Sequence, residues 1–256
     1  MLVLRPGALG DTLLAVPALR ALRRAFSPLS LAAHLATARL LAQLGEVDSG
    51  LAFDDPSLAW VFRKCFSDEP IVAWMTAEIK AARLVAPSRP ADTRHCARYL
   101  LESLKPLGID LAWDARPLEV TPIECDEILV HPGSGSAAKN WPPECFAAVI
   151  RALDVPLRLI VGEADVEIAR EVEALVGHPL DRLQQPALEE LASRLAGCRA
   201  YLGNDSGVSH LAGLCGARTV ALFGPTPAEV WRPLGPDVHV LPFEAAPEDV
   251  VSSLTR

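Results

Sequence analysis

Short apolar runs alternate with longer helix-like runs along the whole chain, and this alternation constrains the fold more than any other feature. In the first half, strand-like runs at 2–4, 30–34, 51–53, 70–74 and 83–86 are separated by helix-like runs at 12–26, 37–44, 56–64, 76–82 and 92–105. The spacing of Leu19, Leu22 and Phe26 puts one apolar stripe on the helix at 12–26, with Arg20, Arg23 and Arg24 elsewhere. Pro17 lies inside that run and predicts either a kink or a later true start. The second half restarts at Glu127–His131, with further strands at 157–161, 199–202, 218–223 and 238–241. Its helices are expected from Pro142 or Pro143 to 152, then at 164–176, 187–196, 206–215 and 246–254. Strands that alternate with helices pair in parallel, which predicts an α/β layer structure. Between the halves, residues 114–126 carry two prolines and five charged side chains with little periodicity. The domains predicted are therefore 1–117, a linker at 118–126, a second domain at 127–243, and a terminal helix within 244–256 that is free to pack back on the first domain.

Ligands of open α/β sheets bind beyond the carboxyl ends of the strands, so the strand-to-helix junctions are the places to search. The most informative is Gly203-Asn204-Asp205-Ser206-Gly207, between an apolar strand and the run starting at Val208. A helix start there leaves unpaired backbone N–H groups, and with the helix dipole these suit a phosphate. Ser206 and Ser209 add hydroxyls, Gly207 allows close approach, and Asp205 stands at the mouth. Capping by Asp205 or Ser206, and a core role for His210, are the bland alternatives. The loop after the strand at 127–131, His131-Pro132-Gly133-Ser134-Gly135-Ser136-Ala137-Ala138-Lys139-Asn140-Trp141-Pro142, places a cation, Lys139, in a Gly/Ser loop suited to a diphosphate. Its Gly133-Ser134-Gly135 and Ala138 also satisfy a GxGxxA dinucleotide pattern. His131 reads as a core or supporting group. In Gly7-Ala8-Leu9-Gly10-Asp11, Asp11 is either an N-cap or a carboxylate able to take a proton from an attacking hydroxyl. Glu163 and Glu167, just past a strand, are both open as ribose ligands, with Glu167 preferred. Phe223 and Trp231 could line a base pocket or simply pack a loop.

Composition narrows the classes. The net charge of −8, from 24 basic and 32 acidic side chains, disfavours nucleic acid as a partner. Cysteines at 65, 96, 125, 145, 198 and 215 form no CxxC pair, which argues against a zinc or redox site. The sequence contains no Asp-x-Asp pair. The N-terminus lacks a secretory pattern and no apolar run reaches the ~18 residues of a membrane span. A soluble cytoplasmic protein is expected, with peripheral membrane contact left open. Gly203–Gly207 is not a GxSxG elbow, and Ser206 stands beside Asp205 instead of a base, so a serine hydrolase is disfavoured.

Four stretches together resemble glycosyltransferase family 9, the heptosyltransferases. Leu2–Arg5 with Gly10-Asp11 and Pro17-Ala18-Leu19 is similar to the family's opening strand and helix. His131-Pro132-Gly133 with Lys139–Pro142, Asn204–Gly207 with Ser209–Ala212, and Leu222–Thr226 are similar to its three later motifs, in the same order. The resemblance covers the second half but only about the first 25 residues of the first. It implies a GT-B fold, with two Rossmann-like domains and parallel sheets facing a central cleft that closes on its substrates. It implies an inverting, metal-independent transfer of a sugar, heptose by family habit, from a nucleotide-sugar such as ADP-heptose to a lipopolysaccharide-core or related glycan. By carry-over Asp11 is the general base. Lys139, Ser206, Gly207 and Ser209 meet the donor diphosphate. Ser134, Gly135, Glu167, Asp205 and His210 surround the nucleotide and sugar. The donor is a substrate, so no cofactor is implied, and the partners are a nucleotide-sugar and a glycan or glycolipid. The chain is shorter than typical members, with the shortfall in the first half, so the acceptor is not assigned. Two other readings stand beside this one. One is a degenerate member that binds nucleotide or glycan without transfer; the other is an NAD(P)-dependent oxidoreductase resting on GxGxxA alone.

Overall fold

A computed structural model describes residues 1–62, 70–75, 79 and 82–255 of the chain. The chain divides into two compact units, Met1–Ala115 and Arg116–Arg256. Unit one contains β1 (Leu2–Leu4), α1 (Leu9–Leu13), α2 (Val16–Ala25), β2 (Ser30–Ala33), α3 (Leu35–Gln43), β3 (Ser49–Ala52), α4 (Ala59–Phe62), β4 (Ile71–Trp74), β5 (Leu84–Ala86) and α5 (Cys96–Glu102). Its sheet has the order β3-β2-β1-β4-β5. Every pairing among these described strands is parallel. β1 is buried on both faces, as a central parallel strand must be. Leu2 and Leu4 join Ala32, Ile71 and Ala73 in one core cluster.

Pro17 decides how the first helical stretch is divided. α1 ends at Leu13, and α2 begins at Val16 with Pro17 in its first turn. There its missing N–H is no loss, whereas inside a continuous helix its ring would strike the preceding turn. The stretch read as one helix from Thr12 is thus two. α2 also corrects the expected polar face. Arg20 is buried and holds the buried Glu46 through two hydrogen bonds, Nε to Oε2 at 2.8 Å and Nη2 to Oε1 at 2.6 Å. Its Nη1 reaches Asp114 Oδ1 at 3.1 Å. Arg24 donates to the Ala112 carbonyl and Arg23 pairs with Asp48. The helix expected over 92–105 is shorter, Cys96–Glu102, with a 3-10 turn at Lys105–Leu107. The expected helix at 76–82, the end of the one at 56–64, and Cys65 fall largely or wholly outside the described residues.

Unit two contains β6 (Ile128–His131), α6 (Pro143–Ala152), β7 (Leu157–Val161), α7 (Val166–Val176), β8 (Arg182–Gln184), α8 (Leu188–Gly197), β9 (Ala200–Asn204), α9 (Gly207–Leu214), β10 (Thr219–Phe223), α10 (Ala228–Trp231), β11 (Val238–Pro242) and α11 (Pro247–Thr255). The order β11-β10-β9-β6-β7-β8 is again parallel at each pairing. β8 was not anticipated: it is a three-residue edge strand with one apolar side chain. Residues 109–126 have no helix or strand, yet Ile123 and Cys125 donate backbone hydrogen bonds to Ser193 and Gly197. α11 packs on α6, β9 and β10 of its own unit. The core gathers Ile128, Val130, Trp141, Phe146, Leu202, Val220, Val250 and Leu254, among others.

Candidate functional site

In unit two the chain leaves β6 for β7 and β8 on one side, then returns to place β9 on the other. The sheet's switch point therefore lies between β6 and β9, where an open α/β sheet offers a crevice beyond its strand ends. β6 ends at His131 and β9 at Asn204, so both informative loops emerge at this point.

Asn204, fully buried, braces the two loops together. Its Oδ1 accepts the Trp141 N–H at 2.9 Å, and its Nδ2 donates to the carbonyls of Pro132 at 2.8 Å and Gly133 at 3.2 Å. The loop between them passes through a 3-10 turn, Ala137–Lys139, before α6 starts at Pro143. The glycines at 133 and 135 therefore do not open a helix, as a dinucleotide fingerprint requires. From this turn Lys139 reaches across and donates to Asp205 Oδ2 at 2.7 Å. The lysine is about a third exposed, at 35%, and the aspartate nearly buried, at 8%. The Ser134 hydroxyl lies 2.7 Å from both Asn140 Oδ1 and the Ser136 carbonyl, and Gly135 is exposed with open space around it.

Ser206 is the N-cap of α9, its Oγ accepting the Ser209 N–H at 3.4 Å. Gly207 opens the helix. Ser209 differs from expectation. Its hydroxyl is fully buried, donates to the Asn204 carbonyl and lies 3.0 Å from the Tyr201 hydroxyl. It supports the cap from beneath. His210, one turn in, is buried. Burial pushes the Tyr201 phenol well above its ordinary range, so it stays protonated and donates to Ser209. Gly203 makes room for that phenol: a Cβ there would lie 2.1 Å from its oxygen.

Sequence reasoning missed Asp165. It lies in the 3-10 turn after β7, and its Oδ2 accepts the Gly162 N–H at 2.9 Å and contacts His131 Nε2 at 3.0 Å. His131 Nδ1 in turn lies 3.3 Å from Ser206 Oγ. Burial disfavours the Asp165 carboxylate, but the hydrogen bonds and charge of His131, with the Gly162 N–H, outweigh it and hold its pKa below the usual value. Gly133 closes over the same carboxylate, where a Cβ would lie 1.8 Å from Oδ1. The available signal was Gly162 followed three residues later by an acid, the spacing of a helix-start cap.

A pocket of about 310 Å³ opens beside this group, lined by His131, Gly162, Glu163, Asp165, Gln185 and Val208 among others. Gln185 adopts a left-handed backbone, φ +45°, next to Pro186. Glu163 lines the pocket, whereas the preferred Glu167 is 80% exposed and pairs with Arg170. Phe223 and Trp231 do not line this pocket.

Unit one has its own switch point between β1 and β4, and the turn after β1 leads to Asp11. Arg5, fully buried, donates through Nε and Nη2 to the Asp11 carbonyl at 3.2 and 3.0 Å. Its Nη2 also lies 3.7 Å from Asp11 Oδ1. The carboxylate caps the Ala8 N–H at 3.1 Å and its side chain remains 37% exposed. Arg5 and Arg20 are thus internal groups, not surface cations. Among the described residues no group of three His, Cys, Asp or Glu side chains is placed to hold a metal ion, and no helix is long and apolar enough to cross a membrane.

Residues 97–252, more than half of the chain, match the family model for glycosyltransferase family 9 (heptosyltransferase). The chain belongs to glycosyltransferase family 9. A lipooligosaccharide heptosyltransferase 2 of Campylobacter jejuni is 27% identical over 105 residues, which span 38% of this chain and 33% of that protein. The match thus extends over about a third of that curated relative. Among solved structures, a family 9 glycosyltransferase from Veillonella parvula superposes with a TM-score of 0.82 at 19% identity, covering 98% of this chain and 94% of that one. The E. coli ADP-heptose LPS heptosyltransferase II gives 0.76 at 18%, covering 99% and 96%. The E. coli heptosyltransferase WaaC, solved with ADP, gives 0.74 at 18%, covering 98% and 97%. The fold shared with these family 9 structures is GT-B, built from two Rossmann-like units with parallel sheets.

Proposed function

We propose that this family 9 chain is an inverting glycosyltransferase. It moves a sugar, heptose by family habit, from an ADP-linked donor to a hydroxyl of a lipopolysaccharide-core or related glycan. The observation that carries the reading is the convergence at one switch point of Lys139, Asp205, Ser206 and the start of α9, within the segment that matches the family model. A WaaC structure with ADP among the fold neighbours supports the choice of nucleotide.

In this reading the donor diphosphate lies against the first turn of α9, where the cap, unpaired N–H groups and dipole favour negative charge. Lys139, held by Asp205, faces the same charge. The nucleoside occupies the pocket beside Glu163, with Ser134 and Gly135 at its rim and His210 behind the helix start. The acceptor hydroxyl attacks the anomeric carbon from the side opposite the diphosphate. Asp11 takes its proton as the carbon–oxygen bond forms and the bond to the diphosphate breaks. General-base assistance is worth ~10²–10⁴ in rate. Stabilisation of the departing diphosphate by Lys139 and the helix start is fixed in advance, so no metal is required. A glycolipid acceptor would bring the chain to the cytoplasmic face of the inner membrane as a peripheral protein.

The test is ADP release from ADP-heptose with a core-oligosaccharide acceptor, measured beside ADP binding by calorimetry. Asp11→Asn is expected to bind ADP within about twofold of wild type and to lose transfer by at least ~10²-fold. Lys139→Ala is expected to weaken ADP. Collapse of ADP affinity in Asp11→Asn together with unchanged affinity in Lys139→Ala would overturn the assignment.

A further inference from the structure

The chain Asp165–His131–Ser206 carries an inference that goes beyond the reading above and rests on it. The three side chains come from three strand ends, 34 and 75 residues apart in sequence, yet meet at 3.0 and 3.3 Å. Two glycines, 133 and 162, leave the space that Asp165 needs. The arrangement fixes hydrogen positions. An ionised carboxylate accepts and cannot donate, so Nε2 of His131 carries a hydrogen and gives it to Asp165. In neutral His131, Nδ1 is then a bare acceptor, and the Ser206 hydroxyl turns its single hydrogen toward it. In the imidazolium, Nδ1 donates instead. Ser206 Oγ then accepts from both Nδ1 and the Ser209 N–H. The Ser206 hydrogen then leaves Nδ1, and a phosphate oxygen at the helix start competes for it with Ser209 Oγ, 3.4 Å away, which already accepts from Tyr201.

We propose that His131 is a positioning residue that couples diphosphate binding to proton uptake: the anion selects the imidazolium, which turns the Ser206 hydroxyl toward it. Several charged and titratable groups stand near His131. Asp165 abuts Nε2, and Glu163 lines the same pocket. The Lys139–Asp205 pair flanks Ser206 from the opposing loop, and Tyr201 stays a neutral donor beneath Ser209. Asp165 gives the imidazolium a counter-charge at Nε2, and the positive charge added on protonation favours a bound anion. Linkage then requires ADP affinity to rise as pH falls through the titration of His131, by up to about tenfold per pH unit.

Calorimetric titration of ADP into the full chain, in two buffers of unlike ionisation enthalpy, reads protons taken up on binding. ADP's own ionisation is common to wild type and variant and cancels in their difference. His131→Asn places an amide that can donate to Ser206 at every pH. The wild type is expected to take up a large fraction of one proton more than His131→Asn, whose affinity follows pH only as ADP itself does. Equal proton counts in two proteins that both bind ADP would overturn the proposal. Should the variant not fold, the His131 ring resonance of the wild type is followed by NMR with and without ADP. A titration displaced to higher pH by ADP supports the coupling, and an unmoved one overturns it. A wild type that binds neither ADP nor pyrophosphate overturns the donor-site reading, and this inference with it.

Discussion

Asn204 holds the site's two loops in register through one amide, and all of its partners are backbone groups. Replacing it with alanine leaves the Trp141 N–H and the Pro132 and Gly133 carbonyls without that partner in a buried place. Each stranded group costs about 1–3 kcal/mol. Asn204→Ala is therefore expected to destabilise the protein by about 3 kcal/mol and to weaken ADP binding, read by urea unfolding and calorimetry. A loss under ~0.5 kcal/mol would show that the brace is dispensable. At this scale the sequence was only partly legible. The Gly203–Gly207 turn announced the helix start that the structure shows, but the brace joins residues 63 apart, and no local pattern reports such a pairing. Asp165 had a local cap spacing, but its pairing with His131, 34 residues away, is not written in any local pattern. Glu163 and Glu167 were both open on the sequence, with Glu167 preferred; Glu163 lines the pocket after β7 and Glu167 is exposed on α7.

At the level of helices and strands, α2 is fixed from two sides by Arg20. Its guanidinium ties the helix to Glu46, beyond α3, and to Asp114, near the end of the unit. Removing one member of a buried ion pair strands the other, at a cost of about 3–5 kcal/mol. Arg20→Met is expected to destabilise the protein by about 3 kcal/mol in urea, and Arg20→Met with Glu46→Gln to recover a good part of it. Equal losses in the single and double variants would remove the stranded charge as the cause. The sequence placed Arg20 off the apolar stripe without showing its burial, because helical periodicity locates a stripe, not what covers the opposite face. Pro17 was legible as either a kink or a later start, and the structure takes the later start, with Pro17 in the first turn of α2. β8 was illegible because three residues with one apolar side chain carry no period. The longer elements, β6, β7, β9 and β10, were read with boundaries nearly as found, since β-branched and leucine runs next to Gly or Pro leave little choice.

Over the whole molecule, strand–helix alternation was sufficient to read two parallel α/β units, and the structure divides the chain at Ala115. The family model begins only at residue 97, whereas the structural matches extend over 98–99% of the chain. The first unit keeps its fold with little of the sequence signal, because any apolar run of the right length can fill a buried parallel strand. Placing the donor in the second unit has a global consequence. ADP at about 100 times its Kd should add about 2.7 kcal/mol to the stability of whatever holds it. Hydrogen exchange of the full chain is expected to slow most in β6, β9 and the start of α9. Protection that grows mainly around β1 and α1 would place the nucleotide in the other unit.

All-parallel pairing also sorts the turns of each unit into two classes. Those that leave strands at their carboxyl ends carry Asp11, Lys139, Asp165 and Ser206. Those that lead into strands, such as 177–181 before β8 and 215–218 before β10, carry none of them. Change at that second rim, whether drift, insertion or a fused module, leaves the reactive groups where they are. The fold thereby keeps the groups proposed to act on the substrate apart from the rim at which the chain can be joined to something else.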